Sequence, residues 1–253
     1  MYSEKRPKLS VIVPTLNEEE HIENLLYSIK KQDILTETII VDGGSEDNTC
    51  YIANKYNAKF LSLPGYGEFI SRNIGAKNAK SELLLFTCAD IIFPKYLFQK
   101  VVNKFEKNPK LVALTGPGYP FDAPFLGKIE YAIYNFIRYL FAKLPKPLKR
   151  FSTSTNFLVV QRKYFETTGG FVIDDINADG LMGKALLRLG EVDFSLDSFF
   201  YLSARRMKNM GFLNFNRHYL YALENFFYSF SETGVLSHLK DRSKQKHRKL
   251  HER

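Results

Sequence analysis

Five short apolar runs in the first 117 residues, separated by stretches of helical length, constrain this chain more than any other feature. They predict strands near 9–14, 36–42, 59–64, 82–88 and 111–115, with helices near 18–31, 46–56, 69–79 and 95–107. Regular alternation of this kind indicates an α/β fold with a mostly parallel central sheet flanked by helices. In such sheets ligands bind where the carboxyl ends of the strands open towards the following helices. Polar residues at those ends are therefore displayed, not buried.

The first run, Leu9-Ser-Val-Ile-Val-Pro14, is followed by Thr15-Leu-Asn-Glu-Glu-Glu20, and the second ends at Asp42 before Gly43-Gly44. Asn17 is expected to cap the first helix, with Glu20 in the favourable field of its N-terminus. Asn17, Glu18 and Asp42 would then stand side by side at one rim, where they suit a base or ribose contact. A plain turn-capping acid is the alternative for Asp42. A later run ends in Cys88-Ala-Asp90, with Pro94 opening the next helix. A carboxylate at such a strand end can hold a divalent cation against phosphate oxygens, or merely cap the helix. Arg72, in Ser71-Arg-Asn-Ile-Gly75, reads either as a surface arginine or as a partner for a pyrophosphate or an acid. Asp174, Asp175 and Asp179 follow Gly169-Gly-Phe171 and are solvated turn residues unless one of them is a general base.

Beyond Pro117 the pattern changes. Residues 116–124 read as a loop and 125–144 as a helix with Leu126, Ile129, Ile133, Ile137, Leu140 and Leu144 on one face. A strand is expected at 155–162, a helix near 179–189 and a strand near 191–203. An aromatic, basic helical segment at 205–236 and a basic tail at 237–253 complete the chain, after a catalytic domain spanning 1–204. The tail has seven Lys or Arg against two acids within a net charge of +9. It reads as a solvated end or as a contact for anionic headgroups or nucleic acid. No aromatic-strand motif supports RNA binding, and no nucleic-acid partner is expected.

Cys50 and Cys88 have no paired spacing, so neither a disulfide framework nor a zinc site is indicated. Met1–Lys8 lacks an apolar signal core, and no uncharged run approaches the ~18–20 residues that span a bilayer. A cytoplasmic protein is expected, at most peripheral on the cytoplasmic face of a membrane. A G-x-G-x-x-G after the first strand, a P-loop and a G-x-S-x-G are all absent.

Taken in order, these segments resemble a family 2 glycosyltransferase with the GT-A nucleotide-sugar (Rossmann-like) fold. Pro14-Thr-Leu-Asn-Glu18 resembles that family's Pro-x-x-Asn-Glu element. Asp42-Gly-Gly-Ser-Glu-Asp-Asn-Thr49 resembles its Asp-Asp-Gly-Ser-x-Asp-x-Thr element. Arg72-Asn-Ile-Gly75, Cys88-Ala-Asp90 and Gly169-Gly-Phe171 with Ala178-Asp179 resemble its Arg-Asn-x-Gly, Asp-x-Asp and Gly-Gly-Phe…Glu-Asp segments. Three positions depart from the pattern: Gly43, Cys88 and Ala178 each stand where a carboxylate is usual. The resemblance implies inverting transfer from a nucleotide-diphospho-sugar to a glycan or polyprenyl-lipid acceptor. Pro14, Thr15, Asn17, Glu18, Asp42, Arg72 and Asp90 would hold the donor. Asp90 would also bind Mg²⁺ or Mn²⁺, and Asp179 would be the catalytic base. The competing expectation is a catalytically weak nucleotide-sugar-binding protein with a degraded metal site. The 125–144 helix and the 205–236 segment add an expectation of peripheral contact with an anionic membrane.

Overall fold

The computed structural model describes residues 6–145, 149, 152–173 and 178–211. The chain falls into two compact units, residues 1–203 and 204–253. In the second, residues 205–211 are helical; the rest of the expected aromatic segment and the basic tail lie outside the described residues.

The first unit is organised by a large sheet of β1 (Leu9–Thr15), β2 (Thr36–Asp42), β3 (Lys59–Ser62), β4 (Leu83–Thr87), β6 (Leu111–Thr115), β8 (Phe157–Gln161) and β9 (Glu191–Phe194). Their order is β3-β2-β1-β4-β8-β6-β9. Only β8 runs antiparallel, against β4 on one side and β6 on the other. The strands were predicted from uninterrupted apolar runs, and burial explains why. Val11, Ile12, Val13, Ile39, Ile40, Val41, Leu84 and Leu85 are all fully buried, because helices cover both faces of a parallel sheet. From β1 the chain extends through β2 and β3 in one direction and returns to place β4 on the other flank. That reversal is the switch point at which an open α/β sheet forms its ligand crevice.

The helices are α1 (Ile22–Lys30), α2 (Thr49–Lys55), α3 (Glu68–Lys77), α4 (Leu97–Lys107), α5 (Phe125–Lys143), α6 (Arg162–Thr167) and α7 (Ala178–Leu189). Gly75 lets α3 lie close to β1, since a Cβ there would run into Ile12 Cγ2.

Three expectations need correction. Asn17 does not cap α1: it sits at φ 53, and the helix begins only after His21. Pro94 does not open α4, which starts at Leu97 after Tyr96 at φ 66. The strand expected at 191–203 is two strands. Ser195–Ser198 turns the chain, Ser198 N donating to Ser195 O at 3.1 Å. β10 (Phe200–Leu202) then leaves the large sheet to pair with β5 (Ile91–Ile92) and with β7 (Gly118–Pro120), a short strand inside the expected 116–124 loop.

The apolar positions of α5 share a face, as expected, and that face points to solvent, with Ile133 54% and Phe136 60% exposed. The inward side carries Tyr131, Asn135, Arg138 and Ala142. Asn135 Nδ2 donates to Gly118 O at 2.7 Å and its Oδ1 accepts from Gly118 N at 3.3 Å. Arg138 donates to Ser152 O at 2.7 Å, Thr115 Oγ1 at 3.2 Å and Gly116 O at 3.4 Å. Its guanidinium also lies 5.0 Å from the Phe194 ring centroid. The backbone of 115–118 asks for polar partners, and that demand sets the helix's rotation.

Candidate active site

At the carboxyl ends of β1 and β2, the parallel register sets Thr15 opposite Asp42 and Pro14 opposite Val41. Thr15 Oγ1 donates to Asp42 Oδ1 at 2.9 Å. Asp42 also accepts from Gly44 N at 3.0 Å, Ser45 N at 2.8 Å and Ser45 Oγ at 2.5 Å. Its carboxylate therefore locks the turn after β2, and both Asp42 and Thr15 are buried, where the sequence led us to expect displayed strand-end residues. Asn17 joins the neighbouring loop to that turn. Its backbone N–H donates to Ser45 Oγ at 2.8 Å, and its Oδ1 accepts from Glu46 N at 2.9 Å. Glu18 N donates to Thr49 Oγ1 at 2.9 Å. The two loops after β1 and β2 are thus cross-linked by polar bonds into one rim. The left-handed backbone at Asn17, tolerated by asparagine, is what turns its side chain towards residue 46.

Arg72, on α3, is fully buried rather than superficial. Its Nη1 donates to Thr87 O at 2.9 Å, at the end of β4, and its Nη2 to Glu68 Oε1 at 2.5 Å. The same Nη2 lies 3.5 Å from Cys88 Sγ. The Arg72 Nε has no hydrogen-bond partner among the described residues. Burial opposes this cation, but Glu68 and, further off, Asp179 hold its pKa above the ordinary value. Glu68 and Asn156 were not foreseen. Glu68 was recoverable from its i,i+4 spacing to Arg72; Asn156, which accepts from Cys88 Sγ at 3.4 Å, is 68 residues away and gave no local signal.

Cys88 keeps part of its surface open, yet burial pushes its thiol up to about 12, against the opposing pull of Arg72. A thiol held protonated in this way is a weak nucleophile and a poor partner for a hard cation. Asp90, half-buried just beyond it, is the carboxylate at this strand end. Among the described residues no group of three or more His, Cys, Asp or Glu side chains forms a metal cluster. The divalent cation implied by the family resemblance is therefore tested against one carboxylate. A single carboxylate completed by phosphate oxygens is a usual way of holding Mg²⁺. Asp90 fits a cation shared with a bound diphosphate, not one caged by protein alone.

Asp179 lies in the first turn of α7. Its Oδ2 accepts from Thr155 N at 3.2 Å and its backbone carbonyl from Thr153 Oγ1 at 3.1 Å. Its Oδ1 is closed to solvent and has no partner among the described residues. Burial raises its pKa above the ordinary 3.8, with Thr155 and Arg72 pulling the other way. Arg72, Cys88, Asp90, Asp179 and Glu68 form one electrostatic neighbourhood. The Gly169-Gly-Phe171 segment is tied to it through Asn73, whose Nδ2 donates to Phe171 O at 2.8 Å and whose Oδ1 accepts from Phe171 N at 2.9 Å. Gly170 permits this clasp: it sits at φ +78, and a Cβ would meet Asn73 Oδ1 at 2.5 Å. Asp174 and Asp175 lie outside the described residues.

An open, mostly parallel sheet with acids at the ends of β1, β2 and β4, and a buried carboxylate across from them, defines a GT-A glycosyltransferase fold. The same architecture occurs in the mannosyltransferase PcManGT of Pyrobaculum calidifontis, at a TM-score of 0.61 and 21% identity over 83% of this chain and 63% of that one. It occurs again in residues 1–349 of Staphylococcus aureus TarS, at a TM-score of 0.65 and 22% identity over 91% and 74% of the two chains. The model of glycosyl transferase family 2 matches residues 10–169, and the chain belongs to that family. Among curated relatives, the uncharacterised glycosyltransferase YfnE of Bacillus subtilis (strain 168) is 32% identical over 112 residues, 42% of this chain and 29% of YfnE. TarS of S. aureus (strain Mu50 / ATCC 700699), a poly(ribitol-phosphate) beta-N-acetylglucosaminyltransferase, is 39% identical over 92 residues, 33% of this chain and 16% of TarS. The matched regions thus span less than a third of these two relatives.

Proposed function

We propose that this chain is an inverting glycosyltransferase that moves a sugar from a nucleotide-diphospho-sugar to a glycan or polyprenyl-lipid acceptor, with Asp179 as the base. Asp179 carries the assignment: a buried carboxylate of raised pKa with one oxygen unpartnered. The donor class is supported by PcManGT, whose structure is in complex with GDP-Man and Mn²⁺, and by a TarS structure in complex with UDP-GlcNAc.

In this reading Pro14, Thr15, Asn17, Glu18 and Asp42 receive the nucleoside, Asn17 and Asp42 chiefly by fixing the two loops that form the rim. Asp90 holds the cation, which when bound neutralises charge on the diphosphate leaving group. Arg72, committed to Glu68 and Thr87, positions the end of β4 and adds positive potential beside the diphosphate. Asp179 takes the proton of the acceptor hydroxyl as that oxygen bonds to the anomeric carbon. The bond from that carbon to the diphosphate breaks on the opposite face, which inverts the centre.

The test is transfer by Asp179→Asn, with folding checked by circular dichroism. Loss of a positioned base costs roughly 10²–10⁴ in kcat. Unchanged turnover overturns the assignment of a base and indicates an acceptor that is already anionic, such as a lipid phosphate. The neutral Cys88 thiol favours a second reading, a catalytically weak nucleotide-sugar-binding protein. Donor binding in Mn²⁺ with neither hydrolysis nor transfer distinguishes it.

A further inference from the structure

The orientation of α5 serves something other than the core. Polar bonds from Asn135 and Arg138 to the backbone of residues 116–118 and 152 fix its inward side. Its outward side presents Leu126, Ile129, Ile133, Phe136, Ile137 and Leu140, each more than two-fifths exposed. The exposed charges on the helix are Lys128 and Lys143, near its two ends, while its one acid, Glu130, is half-buried.

We propose that this face of α5 docks the protein on an anionic membrane, lying in the boundary between headgroups and acyl chains. The proposal depends on no step of the transfer reaction. An apolar strip bordered by cations and free of exposed acids matches the interfacial zone of an anionic bilayer. The chain's charge of +9, with seven Lys or Arg against two acids after residue 236, adds attraction of the same sign. Spanning is excluded for the helix itself, since no described helix is long and apolar enough to cross a membrane. A second copy of the chain is a poorer occupant. Nineteen residues give a strip about 28 Å long and roughly 10 Å wide, about 300 Å² against the ~800 Å² per partner of a standard interface.

The chain contains no Trp, so Phe136→Trp places a lone indole at the middle of the face. Full-length Phe136→Trp is mixed, without donor, with phosphatidylcholine vesicles that contain or lack phosphatidylglycerol. Emission is expected to shift to the blue, and to be quenched by brominated acyl chains, on the anionic vesicles. In flotation, Ile133→Glu should lower recovery with those vesicles by about tenfold or more while its thermal melt stays unchanged. Three outcomes overturn the proposal: a protein that does not float, one that floats while the indole stays in water, or a dimer that Ile133→Glu dissociates. None of these readouts involves sugar transfer, so failure here leaves the proposed reaction standing, and the reverse.

Discussion

Asp179 stores a conflict between stability and reactivity. Its pKa is raised in the fold, so the folded protein binds the proton more tightly than the unfolded chain. The favourable contribution is full below the ordinary value of 3.8 and is lost as pH rises through the folded pKa. At neutral pH the ionised carboxylate therefore costs stability. Asp179→Asn should melt at a higher temperature than the wild type at pH 7. That gain should shrink as pH is lowered towards 3.8 in a pH series of melts. With Asp179 as the proposed base, activity should run oppositely, falling as acid protonates it, with its inflection above 3.8. A residue that loses activity and gains stability on the same substitution is held in its place by function.

At the scale of elements, α5 shows how backbone demand can override apolar patterning. Arg138 is 4% exposed and bonds to Thr115, Gly116 and Ser152. Arg138→Leu should cost about 2–4 kcal/mol in urea unfolding, because buried carbonyls lose their donors. A helix held only by apolar contacts would tolerate or welcome that change. The sequence made much of the framework legible and left this orientation hidden. β2 and β6 were read to the residue, β6 from an apolar run buried throughout and β2 from its buried Ile39–Val41 core. The start of α1 was missed because Asn17 leaves the helical region and bonds to Glu46, a contact that local propensity does not encode. β5 and β7 escaped notice because two or three residues carry no period, and β10 was read only as the end of the longer strand expected at 191–203. Within the site, Asp42, Asp90 and Asp179 stood out at strand and helix ends. Glu68 was passed over although its partner Arg72 is one helical turn away, and Asn73 and Asn156 gave no signal because their partners come from distant segments.

On the scale of the whole molecule, β4 is the seam of the large sheet. It pairs with β1 on one flank and β8 on the other. Everything in β3-β2-β1-β4 lies within residues 9–87, whereas the other half requires β8 at 157–161 to enter between β4 and β6. Local pairings close faster than distant ones. Pulse-labelled hydrogen exchange during refolding should show amides of β1 and β2 protected before those of β8 and β9. Simultaneous protection across the sheet would refute this order.

The same seam matters during synthesis. When the ribosome has released residue 87, the strand Leu83-Leu-Leu-Phe-Thr87, apolar but for its last residue, still lacks its outer neighbour. About 70 further residues must be translated before β8 exists, several seconds or more at ordinary elongation rates. Throughout that interval the nascent chain offers neighbouring polypeptides an open sticky edge. Whatever shields that edge while the second half is being made should therefore raise the yield of soluble protein from a cell.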